Sequence, residues 1–111
     1  MRQGKVFYKD NYAGIITETD DGDYFFEYDK EYINHFPNQP LTFSMPVSNK
    51  RYKDKRLFPF FDGLIPEGWL LEIASKSWKL NQNDRMGLLL ACCKNCIGAV
   101  SVIPINNESN E

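Results

Sequence analysis

Histidine is almost missing from this chain: His35 is the only one in 111 residues. A site built on paired imidazoles is therefore excluded, and one built on a single imidazole has one place to form. His35 stands between Asn34 and Phe36 beside a proline, and no nucleophile–base pair stands out around it. It reads as a structural residue. Cysteine is also scarce. Cys92, Cys93 and Cys96 are three thiols within five positions, an odd number too closely spaced for a secreted disulfide framework. Cys93 and Cys96 have the C-x-x-C spacing, but a structural zinc site needs four ligands and His35 is far away in sequence. A redox reading is weakened because no strand feeds directly into the pair. Cys92 and Cys93 read instead as small core residues at a helix end. No metal and no cofactor are expected.

Other absences narrow the reading further. No apolar run approaches the ~20 residues that cross a bilayer. The N-terminus lacks a charged start, an apolar middle and a small-residue cleavage site, so the expected compartment is the cytoplasm. Charge of neither sign dominates, with 13 Lys and Arg against 15 Asp and Glu and a net charge of -2. That balance excludes a protein whose whole surface tracks phosphates. The seven glycines are scattered at turns and element ends. They form neither a G-x-G-x-x-G nor a G-x-x-x-x-G-K-[ST] phosphate loop, and there is no H-R-D catalytic loop and no D-F-G. The chain does not read as an enzyme.

What is present is ordinary globular composition, 42% hydrophobic and 25% charged, enough for one domain with one core. Aromatics reach 14%, which favours a sheet with some aromatic surface left for partners. Val6, Tyr8, Ile15 and Thr17 alternate as in strands, with Asp10-Asn11 as the turn between them. Asp20-Asp21-Gly22-Asp23 marks a second turn, where Gly22 supplies a positive φ. Tyr24, Phe26 and Tyr28 then share one face of a third strand, with Phe25 and Glu27 on the other. Residues 29–36 predict a short turn or helical piece closed by Pro37, and Leu41-Thr42-Phe43-Ser44 a brief extended segment ended by Pro46.

A polar loop with a basic cluster follows: Lys50, Arg51, Lys53, Lys55 and Arg56, interrupted by Asp54. Such a cluster is most simply a solvated surface. From Leu57 to Trp69, five large apolar side chains run almost without break into a proline, an acid, a glycine and a tryptophan; the apolar run must be buried, while Trp69 need not be. A helix is predicted from about Pro66 to Lys79, with proline in the first turn and Glu67 at the positive end of the dipole. Helical stepping gathers Leu70, Leu71, Ala74 and Trp78 on one arc and leaves Trp69 at the boundary beside Lys76. A second helix follows Asn83 as N-cap and carries Met86, Leu88, Leu89, Leu90 and Cys93. Ala99 to Ile103 reads as a final strand ended by Pro104. The expected fold is α+β: a small antiparallel sheet, from the N-terminal meander plus the C-terminal strand, packed with two or three helices. A single domain is expected over residues 1–104, with a polar tail over 105–111.

Four segments together resemble the N-terminal subdomain of HipA-type kinases. They are Ala13-Gly14-Ile15-Ile16, Leu41 to Pro46, Phe60-Phe61-Asp62-Gly63-Leu64-Ile65-Pro66, and Ile97 to Pro104. The last two match the family's F-F-D-x-L-L-P and G-A-V-x-x-x-P patterns in the expected order. The resemblance implies a subdomain that precedes a serine/threonine kinase, and a free-standing version is similar to the HipS component of HipBST toxin–antitoxin systems. It implies a non-catalytic, antitoxin-like protein that binds and inhibits a separate HipT-like kinase, with a HipB-like DNA-binding protein in a ternary complex. Alternatives are an activating or folding complement of a split HipA kinase, and a DNA-associated regulator without base readout of its own. A thiol or metal module is the remaining reading. Under the first, Trp69 with Glu67, Gly68, Ile73 and Lys76 is the candidate partner-binding edge; its structural counterpart is Trp69 as a staple of the helix to the core. Phe60, Phe61, Leu64 and Ile65 are assigned to packing, and Lys50, Arg51, Lys53, Lys55 and Arg56 to electrostatic contact.

Overall fold

The computed structural model describes residues 1–65, 83–93 and 99–105, Cys92 by its backbone alone. Among these, five strands form one antiparallel sheet. They are β1 (Arg2–Tyr8), β2 (Asn11–Glu18), β3 (Tyr24–Tyr28), β4 (Tyr52–Asp54) and β5 (Val100–Ile105). The spatial order is β4-β3-β2-β1-β5, so the last of the described strands closes onto the first. Among the described residues three helices accompany the sheet: α1 (Lys30–His35), α2 (Pro59–Asp62) and α3 (Arg85–Cys92). This is the α+β class expected from sequence. No helix among the described residues is long and apolar enough to cross a membrane.

Local chemistry explains each connection. The β1–β2 loop is two residues, Lys9 and Asp10, both with positive φ (50° and 71°), the conformation whose twist matches a tight hairpin. The turn therefore falls one residue earlier than Asp10-Asn11, because Asn11 already pairs with Tyr8. Gly22 has φ 89° in the next turn, as expected. Gly14 is needed for a different reason. A side chain there would collide with the Glu27 carbonyl and the Phe26 ring, so only glycine lets β2 and β3 approach. The register of β1 against β2 shifts between Val6 and Phe7, where Ala13 turns fully inward and its carbonyl accepts from the Asp29 N–H at 2.7 Å.

Strand alternation divides the sheet into two faces. Val6, Ile16, Phe26, Tyr28 and Val102 point to a buried side shared with Phe61, Met86, Leu88, Leu89 and Cys93. Gln3, Lys5, Ile15, Thr17, Phe25, Glu27 and Lys53 lie on the other side, paired across the ladder in their own rows. Arg2 ties one corner of the covered side together: its Nε donates to Glu18 at 2.6 Å and its two terminal nitrogens to Asp84 at 2.9 and 2.7 Å.

Four expectations are corrected. Residues 41–44 are not extended: the Met45 N–H bonds to the Thr42 carbonyl at 3.1 Å, closing a turn. Leu41, Phe43 and Met45 would share one face of a strand, but the turn buries Leu41 and Met45 and throws Phe43 out. The basic stretch is not all loop, because Tyr52–Asp54 pairs with β3. Helix α3 is capped by Asp84 rather than Asn83, through Asp84 Oδ1 accepting the Gly87 N–H at 3.2 Å. Finally, β5 runs through Pro104 to Ile105. The Val102 N–H points away from β1, donating to the Cys93 carbonyl at 2.9 Å. Pro104, two residues on, has its nitrogen on that same outer side and forfeits no ladder bond.

Candidate functional site

The residues proposed for partner binding divide between what the structure describes and what it does not. Trp69, Glu67, Gly68, Ile73 and Lys76 lie outside the described residues, as does the helix predicted over Pro66 to Lys79. The basic cluster is described in full, and Lys50, Arg51, Lys53, Lys55 and Arg56 are all exposed. They do not form one patch. The Arg51 guanidinium lies 4.2 Å from the centre of the Phe25 ring and Lys53 Nζ 5.8 Å from it, so both lie over the sheet's open side. A hollow of about 270 Å³ opens there between Gln3, Thr17, Phe25, Glu27 and Arg51. Lys55 and Arg56 instead stand on the connection from β4 to α2. Asp54 is turned back onto this connection, its Oδ1 accepting the Lys55 N–H at 2.7 Å and the Arg56 N–H at 3.4 Å.

The apolar run after Arg56 is anchored as its composition requires. Leu57, Phe58, Phe61 and Ile65 are buried, Phe61 completely, while Phe60 and Leu64 are half-buried against the core. A short helix that the sequence reading did not expect begins here, with Pro59 at the first position of α2. Phe61 meets Phe26 at 5.6 Å, Phe58 at 6.2 Å and Phe60 at 5.3 Å between ring centres. Asp62, the acid of the matched run, has a structural partner: its Oδ1 accepts from Arg85 Nε at 2.6 Å. Cys93 is fully buried at the end of α3 and its thiol donates to the Leu64 carbonyl at 3.3 Å. That is the packing role expected for it; the side chain of Cys92 and all of Cys96 lie outside the described residues. His35 ends α1 with Nδ1 2.9 Å from the Glu31 carbonyl.

Sequence reasoning missed one arrangement, around the turn at 41–46. Tyr28 is buried at its base, and its hydroxyl accepts from the Leu41 N–H at 3.0 Å and donates to the Met45 carbonyl at 2.5 Å. Burial pushes the Tyr28 phenol up to about 12. The Tyr52 hydroxyl donates to the Pro46 carbonyl at 2.6 Å. Two tyrosines from neighbouring strands thus hold the turn, and its tip is Phe43, 98% exposed. Beside the turn is a pocket of about 290 Å³ walled by Met45, Tyr52, Phe58, Pro59 and Phe60. The available signal was a lone phenylalanine between Thr42 and Ser44, but nothing in sequence distinguishes it from a core residue.

This is a compact sheet-and-helix subdomain whose described surface offers aromatic and basic contact groups. It belongs to the HipA N-terminal domain family, whose sequence profile matches residues 4–103. Among solved structures, the chain resembles one titled "N-terminal domain of HipA toxin", with a TM-score of 0.71 and 29% identity, covering 95% of this chain and 93% of that one. An uncharacterized protein of Haemophilus influenzae is 31% identical over 102 residues, 92% of each chain. A Sinorhizobium fredii protein named "Putative kinase Y4mE" is 24% identical over all 111 residues, which amount to 26% of its own length.

Proposed function

We propose that this chain is a non-catalytic, antitoxin-like protein that binds a separate serine/threonine kinase of the HipA or HipT type and restrains it. The observation that carries this reading is the extent of the family match. Nearly the whole chain corresponds to the domain that a HipA toxin carries at its N-terminus, and to about a quarter of a protein named as a kinase. A domain matched to part of a larger kinase brings recognition of that kinase rather than phosphoryl transfer. A HipB-like DNA-binding protein is the further partner this reading admits.

The contact that restrains the kinase is assigned to the Trp69 edge, with Glu67, Gly68, Ile73 and Lys76. A tryptophan supplies a large apolar surface at a small entropic cost, suited to occluding or distorting a catalytic cleft. The test is titration of the purified chain into the purified kinase with autophosphorylation as the readout. Inhibition is expected, and Trp69→Ala, once confirmed as folded, is expected to weaken it at least tenfold. A rise in autophosphorylation would overturn the restraining role in favour of an activating complement. Undiminished inhibition by Trp69→Ala would reject the residue but not the role.

A further inference from the structure

We infer that the Phe43 turn and the pocket beside it form a docking surface for an acidic face of the kinase body. This inference rests on the proposal that a kinase is the partner, and it names where that partner is gripped.

A single exposed apolar side chain is ordinary and needs no explanation. Phe43 differs because its exposure is enforced. Leu41 and Met45 are buried on either side of it, the Met45 N–H to Thr42 carbonyl bond closes the turn, and the Tyr28 and Tyr52 hydroxyls fasten three of its backbone groups. The ring is therefore held out on a rigid stalk, and docking it orders little that is not already ordered. Aromatic residues, phenylalanine among them, are enriched at protein interfaces.

The neighbouring pocket supplies the complementary half. Ser44, the residue after Phe43, lines it together with Met45, Tyr52, Phe58 and Phe60. A cavity of about 150 Å³ accepts a benzene ring, so about 290 Å³ admits an aromatic or branched aliphatic side chain from a partner. Its rim sets the partner's charge. Asp54 lines it and Lys55 and Arg56 join its two walls, while Lys53, also at its border, carries its ammonium over Phe25 on the sheet's open side. Because Asp54 accepts from the Lys55 and Arg56 backbone, its carboxylate is engaged there while the Lys55 and Arg56 side chains stay exposed and have no ion-pair partner among the described residues. A second copy of this chain is the poorer occupant. Two copies that each set Phe43 into the other's pocket would bring two Lys55–Arg56 pairs into one interface, where like charges repel.

The experiment measures binding of the full chain to the separately purified catalytic body of the HipA-family kinase from the same organism, at two salt concentrations. Phe43→Asp is expected to weaken binding at least tenfold with an unchanged melting temperature. The Lys55→Glu, Arg56→Glu double variant is expected to weaken it at low salt and to flatten the salt dependence. Trp69→Ala should weaken inhibition more than it weakens binding. If the wild-type chain binds and both surface variants bind within twofold of it, the docking surface is wrong and the kinase reading stands. If the wild-type chain fails to bind the kinase body at all, both are overturned. If sedimentation shows a wild-type dimer that Phe43→Asp dissolves, the occupant is a second copy and the acidic-partner inference is overturned.

Discussion

Two apolar segments of this protein, each ending at a proline, meet opposite fates. In Leu57 to Pro66 the phenylalanine at position 61 is fully buried, in contact with three other aromatic rings. In Leu41 to Pro46 the phenylalanine at position 43 is 98% exposed. Composition does not separate them; the backbone does. A helix begun at Pro59 sends Phe61 onto the sheet, whereas a turn closed at Met45 and bolted by two tyrosines sends Phe43 into solvent. The first segment holds the fold together and the second spends part of its binding capacity on presenting a ring.

The sharpest way to test that contrast is to truncate both rings. Phe61→Ala should destabilise the protein by about 3–5 kcal/mol in denaturant unfolding, the usual cost of emptying a core aromatic site. Removing one oxygen should come next. Tyr28→Phe strands the Leu41 N–H and the Met45 carbonyl and should cost about 1–3 kcal/mol, with faster amide exchange at Leu41 and Met45.

The same hydroxyl offers a pH handle. Its folded value is raised, to about 12, so its stabilising share is complete below the ordinary tyrosine value of about 10 and drains away as pH rises through the folded value. The alkaline limb of the unfolding curve should therefore be shallower in Tyr28→Phe. At the other end of the scale, hydrogen bonds from Arg2 hold the Asp84 carboxyl below its ordinary value of 3.8, against the opposing effect of burial. That lowered value gives stability that is present above about pH 4 and lost as pH falls through the folded value. Acid titration of the melting temperature should accordingly be flatter in Asp84→Asn. This effect is modest because both side chains are about a third exposed. Smallest of all, Phe43→Ser should change stability by less than about 0.5 kcal/mol, as for other surface positions. A large loss there would erase the contrast between the two segments.

Much of the fold could be read from the chain before its structure. Alternation in Tyr24 to Tyr28, the glycine turn at 22, the helix carrying Met86, Leu88 and Leu89, and the return strand at the end all follow from period and turn chemistry. What was not legible was set by distant partners. Tyr52–Asp54 is too short and too charged to announce a strand, and it pairs only because β3 presents an open edge with Phe25 under Arg51 and Lys53. Pro104 looked like a terminator because sequence does not reveal that its nitrogen falls on the outer side of β5, the side on which the Val102 N–H already turns away from β1 to Cys93. The clamp on the 41–46 turn rests on a tyrosine hydroxyl thirteen residues away, and no local pattern predicts where a buried phenol will find its hydrogen bonds. The sheet itself was therefore legible, while the presented ring was not.

The outer border of β5 carries a last consequence. Of its outward-pointing amides, the one at Val102 is already spoken for by Cys93 and the one at 104 does not exist. A stray strand arriving there finds no continuous ladder to extend. The opposite border is only three residues long and carries a lysine at its centre, which discourages the same accident. Copies of this protein at high concentration should consequently resist stacking edge to edge into ribbons.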